Sequence, residues 1–148
     1  FYTDYIVNAQ SQYDKSTWKV IDFSSERSPA NDLAADVIDG SLTNRWVSAA
    51  DSQYPHFVTV DMKKQLTITS FEVFRMTGNN QMCDTFQLFV SNDAANWTDL
   101  GVFSFNRDID DGQFYDIPSH PKAQYFKFVG LAGPVNFILV GEISVYGL

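Results

Sequence analysis

The chain has 148 residues, the size of one domain, and 45% of them are hydrophobic, with 13 Phe, 7 Tyr and 3 Trp, which excludes a disordered chain. Lys plus Arg total 10 against 18 Asp plus Glu, a net charge of −8. A phosphate backbone or an anionic bilayer would meet a like-charged body, so nucleic-acid partners and direct membrane insertion are set aside.

Residues 1–16 mix polar and aromatic residues without a sustained period. They read as a linker or terminal strap from a preceding domain. The chain opens on Phe1 with no leader, as a piece of a longer precursor would. Trp18–Phe23 then alternates with period two. Asn31–Ile38 offers one or two helical turns at most. Short runs rich in β-branched and aromatic residues follow at Phe57–Met62, Ile68–Arg75, Phe86–Ser91, Gly101–Phe105, Gln113–Ile117, Tyr125–Gly130 and Glu142–Tyr146. Runs of this length, separated by turn residues, predict an all-β sandwich or barrel. Asp111-Gly112, between two of the runs, predicts a two-residue hairpin turn. The acidic stretch Asp108–Gly112 departs from a calcium-binding helix–loop–helix pattern, with its third acid one position early and Pro118 where a Glu is needed. It reads as a solvated hairpin tip.

No reaction is legible. The chain has only two His, His56 and His120, no Gly-x-Ser-x-Gly elbow and no Gly-rich phosphate loop. Zinc is set aside too, because two His and the single Cys83 lack paired ligand spacing. Cys83 reads as a buried thiol and His56 as a structural side chain. Asn96-Trp97-Thr98 matches a glycosylation acceptor, a pattern short enough to arise by chance. The chain is therefore read as not an enzyme.

Four segments carry a family resemblance. They are Ala34–Gly40 followed by Arg45-Trp46, Pro55–Met62, Val90–Asp93 followed by Trp97-Thr98, and Tyr125–Phe128 followed by Gly141–Gly147. In order and spacing they resemble the coagulation factor V/VIII type C (discoidin) domain, and within it the carbohydrate-binding modules of family 32. The resemblance covers residues 17–148 and implies an eight-stranded antiparallel jelly-roll sandwich. Many vertebrate members tie their ends with a disulfide, which one cysteine cannot do. Trp18–Glu26 is similar to modules of gut Bacteroidetes, which implies an exported protein of the bacterial cell surface or periplasm.

The resemblance also implies a structural Ca²⁺. By position, Asp39 and Glu142 would give carboxylates, and Asp36, Ser41 and Gly141 would give carbonyls. These are oxygen donors, as a hard cation requires. The family has Thr two residues before the Trp, where this chain has Asn44; an amide oxygen there can still ligate. The competing reading is that Asp36 and Asp39 only cap the short helical turn.

Sugar recognition needs an aromatic face for the ring and planar polar groups for its hydroxyls. Phe137 stands where the family places its stacking aromatic, and Arg75 where it places a hydroxyl-binding Arg. Otherwise Phe137 simply opens the apolar run Phe137–Val140, and Arg75 makes a surface salt bridge. Asn79 and Asn80 could add amide contacts or be ordinary turn residues. Tyr54 and Glu26 complete the candidate set. The His that the family often has after the Trp is Val47 here. The expected function is a noncatalytic module that anchors a larger exported protein to glycans beside tethered neighbouring domains. The alternative is a protein-interaction or adhesion domain of the same fold without a sugar site.

Overall fold

The structure is a computed structural model that describes residues 10–148. It contains strands β1 (Ser11–Gln12), β2 (Lys19–Phe23), β3 (Trp46–Val47), β4 (His56–Thr67), β5 (Ser70–Phe74), β6 (Thr85–Ser91), β7 (Thr98–Ser104), β8 (Gln113–Asp116), β9 (Lys122–Ala132), β10 (Leu139–Val140) and β11 (Glu142–Gly147), with a 3-10 helix at Ala34–Ile38. A five-stranded sheet in the order β2-β4-β9-β6-β7 faces a four-stranded sheet in the order β1-β11-β5-β8. The pair β3–β10 forms a small ribbon. Every pairing is antiparallel. All eight expected runs are strands, and the all-β sandwich stands.

Alternation along the strands explains the layers. Val58, Val60 and Met62 of β4, Phe126 and Phe128 of β9, and Phe86 and Leu88 of β6 turn inward and are buried. They meet Phe71 and Val73 of β5 and Ile143 and Val145 of β11. Phe71 and Phe126 join the two sheets edge to face at 5.3 Å between ring centroids. Burying each such side chain contributes roughly 1.5–3 kcal/mol, so the aromatic-rich core needs no covalent staple. Cys83 is free and fully buried.

One expectation is corrected. Asp111-Gly112 does not close a hairpin between β7 and β8. β7 pairs with β6, whereas β8 pairs with β5 in the other sheet, with Gln113 opposite Val73. Residues 105–112 therefore cross between sheets. Gly112 is small for a packing reason: a Cβ there would lie 2.6 Å from Phe74 Cζ and collide with the Glu72 carboxylate. Residues 10–16, read as a linker or strap, lie against the sandwich: Ser11 pairs with Gly147 and Gln12 with Tyr146. Tyr13 donates its hydroxyl to the Thr67 carbonyl at 2.7 Å. Residues 1–9, the rest of the expected strap, lie outside the described residues. Among the described residues, no helix is long and apolar enough to cross a membrane.

Candidate functional site

The segments that follow β2, β3, β5, β7 and β9 gather at one end of the sandwich, and core contacts fix them there. Trp46 is fully buried and donates its indole N–H to the Ser25 carbonyl at 2.8 Å. Ser25 Oγ accepts from the Ala49 amide at 2.9 Å. Arg27 donates its amide to the Val47 carbonyl at 2.8 Å. The β2–helix loop is thus pinned to β3. Glu26, a candidate ligand residue, closes the same loop: its Oε2 accepts the Ala34 amide at 2.7 Å.

Phe137 lies on the β9–β10 segment, which is equally well held. Ile138 donates its amide to Ser48 Oγ at 2.9 Å, and His56 Nε2 lies 2.6 Å from the Asn136 carbonyl. Burial pushes the His56 imidazole below its ordinary pKa, opposed by that hydrogen bond. Tyr54 packs edge to face on His56 at 4.5 Å and reaches the Phe137 carbonyl at 3.4 Å. Burial, with the nearby Cys83 and Asp84, raises its phenol. Phe137 is half-buried, so it both opens the apolar run and presents its ring. The Arg27 guanidinium lies over that ring, 4.1 Å from its centroid. A pair of this kind is worth roughly 0.5–1 kcal/mol at an exposed site.

The other candidates form a second cluster. Arg75 Nε donates to Asp110 Oδ1 at 2.8 Å, and its Nη1 to the Arg107 carbonyl at 2.5 Å. Arg75 is therefore ion-paired rather than presenting an open fork. Asp110 also accepts the Gly78 amide, and these bonds hold its carboxyl below the usual range. The predicted solvated tip is thus a brace across the β5–β6 loop. Asn79 Oδ1 accepts the Gln81 amide at 2.8 Å, a turn contact. The Asn80 carbonyl accepts from Arg107, whose Nε meets Asp84. Arg75, Asn79 and Asn80 come together around Arg107, while Tyr54 joins Phe137.

The expected calcium residues also converge. Glu142 Oε2 accepts the Gly40 amide at 2.8 Å, joining residues 102 apart in sequence. Lys15 Nζ makes an ion pair with the same oxygen. The amide of Gly141 bonds the Phe74 carbonyl at 3.1 Å, fixing the start of β11. Asp39 Oδ1 accepts the Ser41 amide at 2.8 Å, and its Oδ2 accepts the Asn44 side-chain amide at 2.9 Å. Asp36 is half-buried, and burial first, then Asp39, raises its carboxyl. Among the described residues, Glu142 Oε1 is buried without a hydrogen-bond partner. Burial lifts the Glu142 carboxyl to about 7, opposed by Lys15 and Gly40. The donors are oxygens and one buried acid oxygen is unpaired, so the set fits a hard cation. No cluster of three or more His, Cys, Asp or Glu side chains forms among the described residues. Main-chain carbonyls would have to complete the shell.

The family model for the F5/8 type C domain matches residues 7–143. The chain belongs to the F5/8 type C domain family. No curated protein matches it. Solved structures like this F5/8 type C domain include the C-terminal domain of a chitobiase from Bacteroides fragilis, 26% identical, with a TM-score of 0.81 over 91% of this chain and 96% of that one. The family 32 module of NanJ from Clostridium perfringens, solved with galactose, has 19% identity and a TM-score of 0.83, covering 94% and 100% of the two chains. A family 32 module from Clostridium perfringens, solved with GalNAc-β-1,3-galactose, has 22% identity and a TM-score of 0.82, covering 91% and 99%.

Two side chains in this F5/8 type C domain escaped the sequence reading. Arg27 gave no signal, since only folding brings it to Phe137. Lys15 lay in the presumed strap, where nothing marked it as the partner of Glu142.

Proposed function

We propose that this F5/8 type C domain is a noncatalytic carbohydrate-binding module that tethers a larger exported protein of the bacterial surface or periplasm to glycans. The observation that carries this reading is the loop-end group of Phe137, Tyr54 and Arg27. It sets a half-exposed aromatic ring and a planar polar head on two braced loops. The galactose and GalNAc-β-1,3-galactose held by the two clostridial modules of the same fold support it. The burial of His56 against a carbonyl and the raised, buried Cys83 thiol support the noncatalytic reading.

Calcium belongs to the same proposal. Asp39, Glu142 and the Asn44 side chain would hold it, helped by carbonyls of Asp36, Ser41 and Gly141. Its chemistry would be structural, clipping the helix loop to β11.

A second reading, docking on a neighbouring protein, has one observation in its favour. Ile21, Phe23 and Val102 of the five-stranded sheet are exposed, and Lys127 lies near both Phe57 and Trp97. A glycan array run with calcium and with chelator separates the two. Binding to a defined glycan that is lost in Phe137→Ala supports the module. A folded protein that binds no glycan refutes it and favours docking.

A further inference from the structure

The loop end holds four arginines in a molecule of net charge −8. Three of them face a carboxylate: Arg45 pairs with Asp32, Arg75 with Asp110 and Arg107 with Asp84. Arg27 has no carboxylate partner among the described residues. Its guanidinium rests on the Phe137 ring, 4.1 Å from the centroid, and the residue is exposed. A solvated surface arginine would sweep many rotamers. This one is constrained at both ends, by the amide bond from Arg27 to Val47 and by the ring beneath its head.

The contact has a second consequence. The guanidinium N–H groups make no hydrogen bond among the described residues, and their planar fork matches the two oxygens of a carboxylate. The same contact covers the ring face that a neutral sugar would use for stacking. The ring and the fork thus offer a composite surface, apolar at Phe137 and cationic at its rim. The geometry points to a glycan carrying a carboxylate, a uronic acid or a sialic acid, with the carboxylate held end-on by Arg27 and the adjoining sugar lying toward Tyr54 and Phe137. This inference rests on the module reading and names the ligand class of that site.

The test is calorimetric titration of the wild-type domain with trisaccharides of glucuronate, galacturonate and mannuronate and with sialyllactose. Each is run beside its neutral counterpart: the carboxyl-reduced trisaccharide, or lactose. A charge-assisted bidentate contact at an exposed site predicts roughly tenfold or more tighter binding of at least one acid over its neutral form. Arg27→Ala should abolish that preference. Arg27→Lys, which keeps the charge but loses the planar fork, should recover only part of it. Raising salt should weaken the acid and leave the neutral form unchanged. The uronate and sialyl arms distinguish the source of the carboxylate. Equal binding of acid and neutral forms, or an acid preference untouched by Arg27→Ala, overturns the inference and leaves the module reading intact if Phe137→Ala still loses binding. No binding of any of these sugars, acid or neutral, overturns the inference too. The glycan array then decides the module reading separately. Unchanged circular dichroism and melting of each variant show that a lost preference is not lost folding.

Discussion

Lys15 is the residue whose removal tests the packing of the chain's N-terminal segment most directly. Its side chain is 9% exposed, and that of Glu142, with which it pairs, is 3% exposed. It also donates to the Ile143 carbonyl at 3.0 Å and to Ser144 Oγ at 2.8 Å. Among the described residues, Lys15→Ala leaves Glu142 with the Gly40 amide as its one hydrogen-bond donor. Removing one partner of a buried pair costs about 3–5 kcal/mol, because the charge left behind is uncompensated. A cleft of about 220 Å³ runs alongside, lined by residues that include Gln12, Gly40 and Glu72. Water entering there would rehydrate part of the carboxylate, and a carboxyl already lifted to about 7 takes up a proton more readily once Lys15 is gone, so about 2–3 kcal/mol is expected. For a domain of this size that is a fall in melting temperature of roughly 5–10 °C.

The assay is thermal unfolding in chelator of wild type, Lys15→Ala, Glu142→Gln and the double variant. If the loss comes from an orphaned charge, Glu142→Gln placed on the Lys15→Ala background recovers part of the stability. The cycle then shows a coupling of about 1 kcal/mol or more. Lys15→Met, which keeps the apolar stem, should behave like Lys15→Ala. Calcium should raise the melting point of Lys15→Ala more than that of wild type, since a cation would supply the missing charge. A Lys15→Ala protein that melts with wild type, or a cycle with no coupling, would refute the reasoning.

Gly141→Ala should destabilise by about 2 kcal/mol or more, because its Cβ would meet the Arg75 backbone at 2.5 Å where only a strand shift can relieve it; urea unfolding measures it, and an unchanged midpoint would contradict the packing. His56 has a folded pKa below its ordinary 6.5, so the stability of its neutral form is present above that value and is lost as pH falls through it. Melting temperature should drop between pH 7 and pH 5 more steeply in wild type than in His56→Gln, and parallel slopes would show that another group governs acid lability. Arg75→Ala should leave glycan affinity within about twofold while lowering the melting temperature, since its bonds run to Asp110 and Arg107 rather than outward. A large affinity loss without loss of folding would place Arg75 in the ligand contact.

The strands were legible because their signal is local. Phe57–Met62 and Tyr125–Gly130 alternate with period two, and burial of one face makes that pattern a direct record of orientation. Pairing is not local. Asp111-Gly112 has the local chemistry of a hairpin, but β8 pairs with β5, which sets Tyr115 against Phe86 and Phe103 of the facing sheet. A turn dipeptide reports which backbone angles are easy, and the apolar surface decides where the next strand goes. The same logic carried Ser11 and Gln12 onto β11: an open strand edge beside the core is worth pairing, whatever the texture of the residues that pair with it.

For the site, sequence gave positions but not partners. Tyr54 meets Phe137 at the loop end, and Glu142 meets the helix loop at Gly40. Whether a side chain is free depends on what the fold sets beside it. Arg75 and Arg27 are the same residue type on neighbouring loops, yet Asp110 engages the first and, among the described residues, the Phe137 ring meets the head of the second. Asp110 is 35 positions from Arg75, and Phe137 is farther still from Arg27, so no local pattern could have ranked the two. The arginine that the sequence reading singled out is ion-paired with Asp110, and the one it passed over sits on the Phe137 ring. Any specificity of this domain for charge would therefore follow from loop packing particular to this chain, and would be missed by carrying over residues position by position.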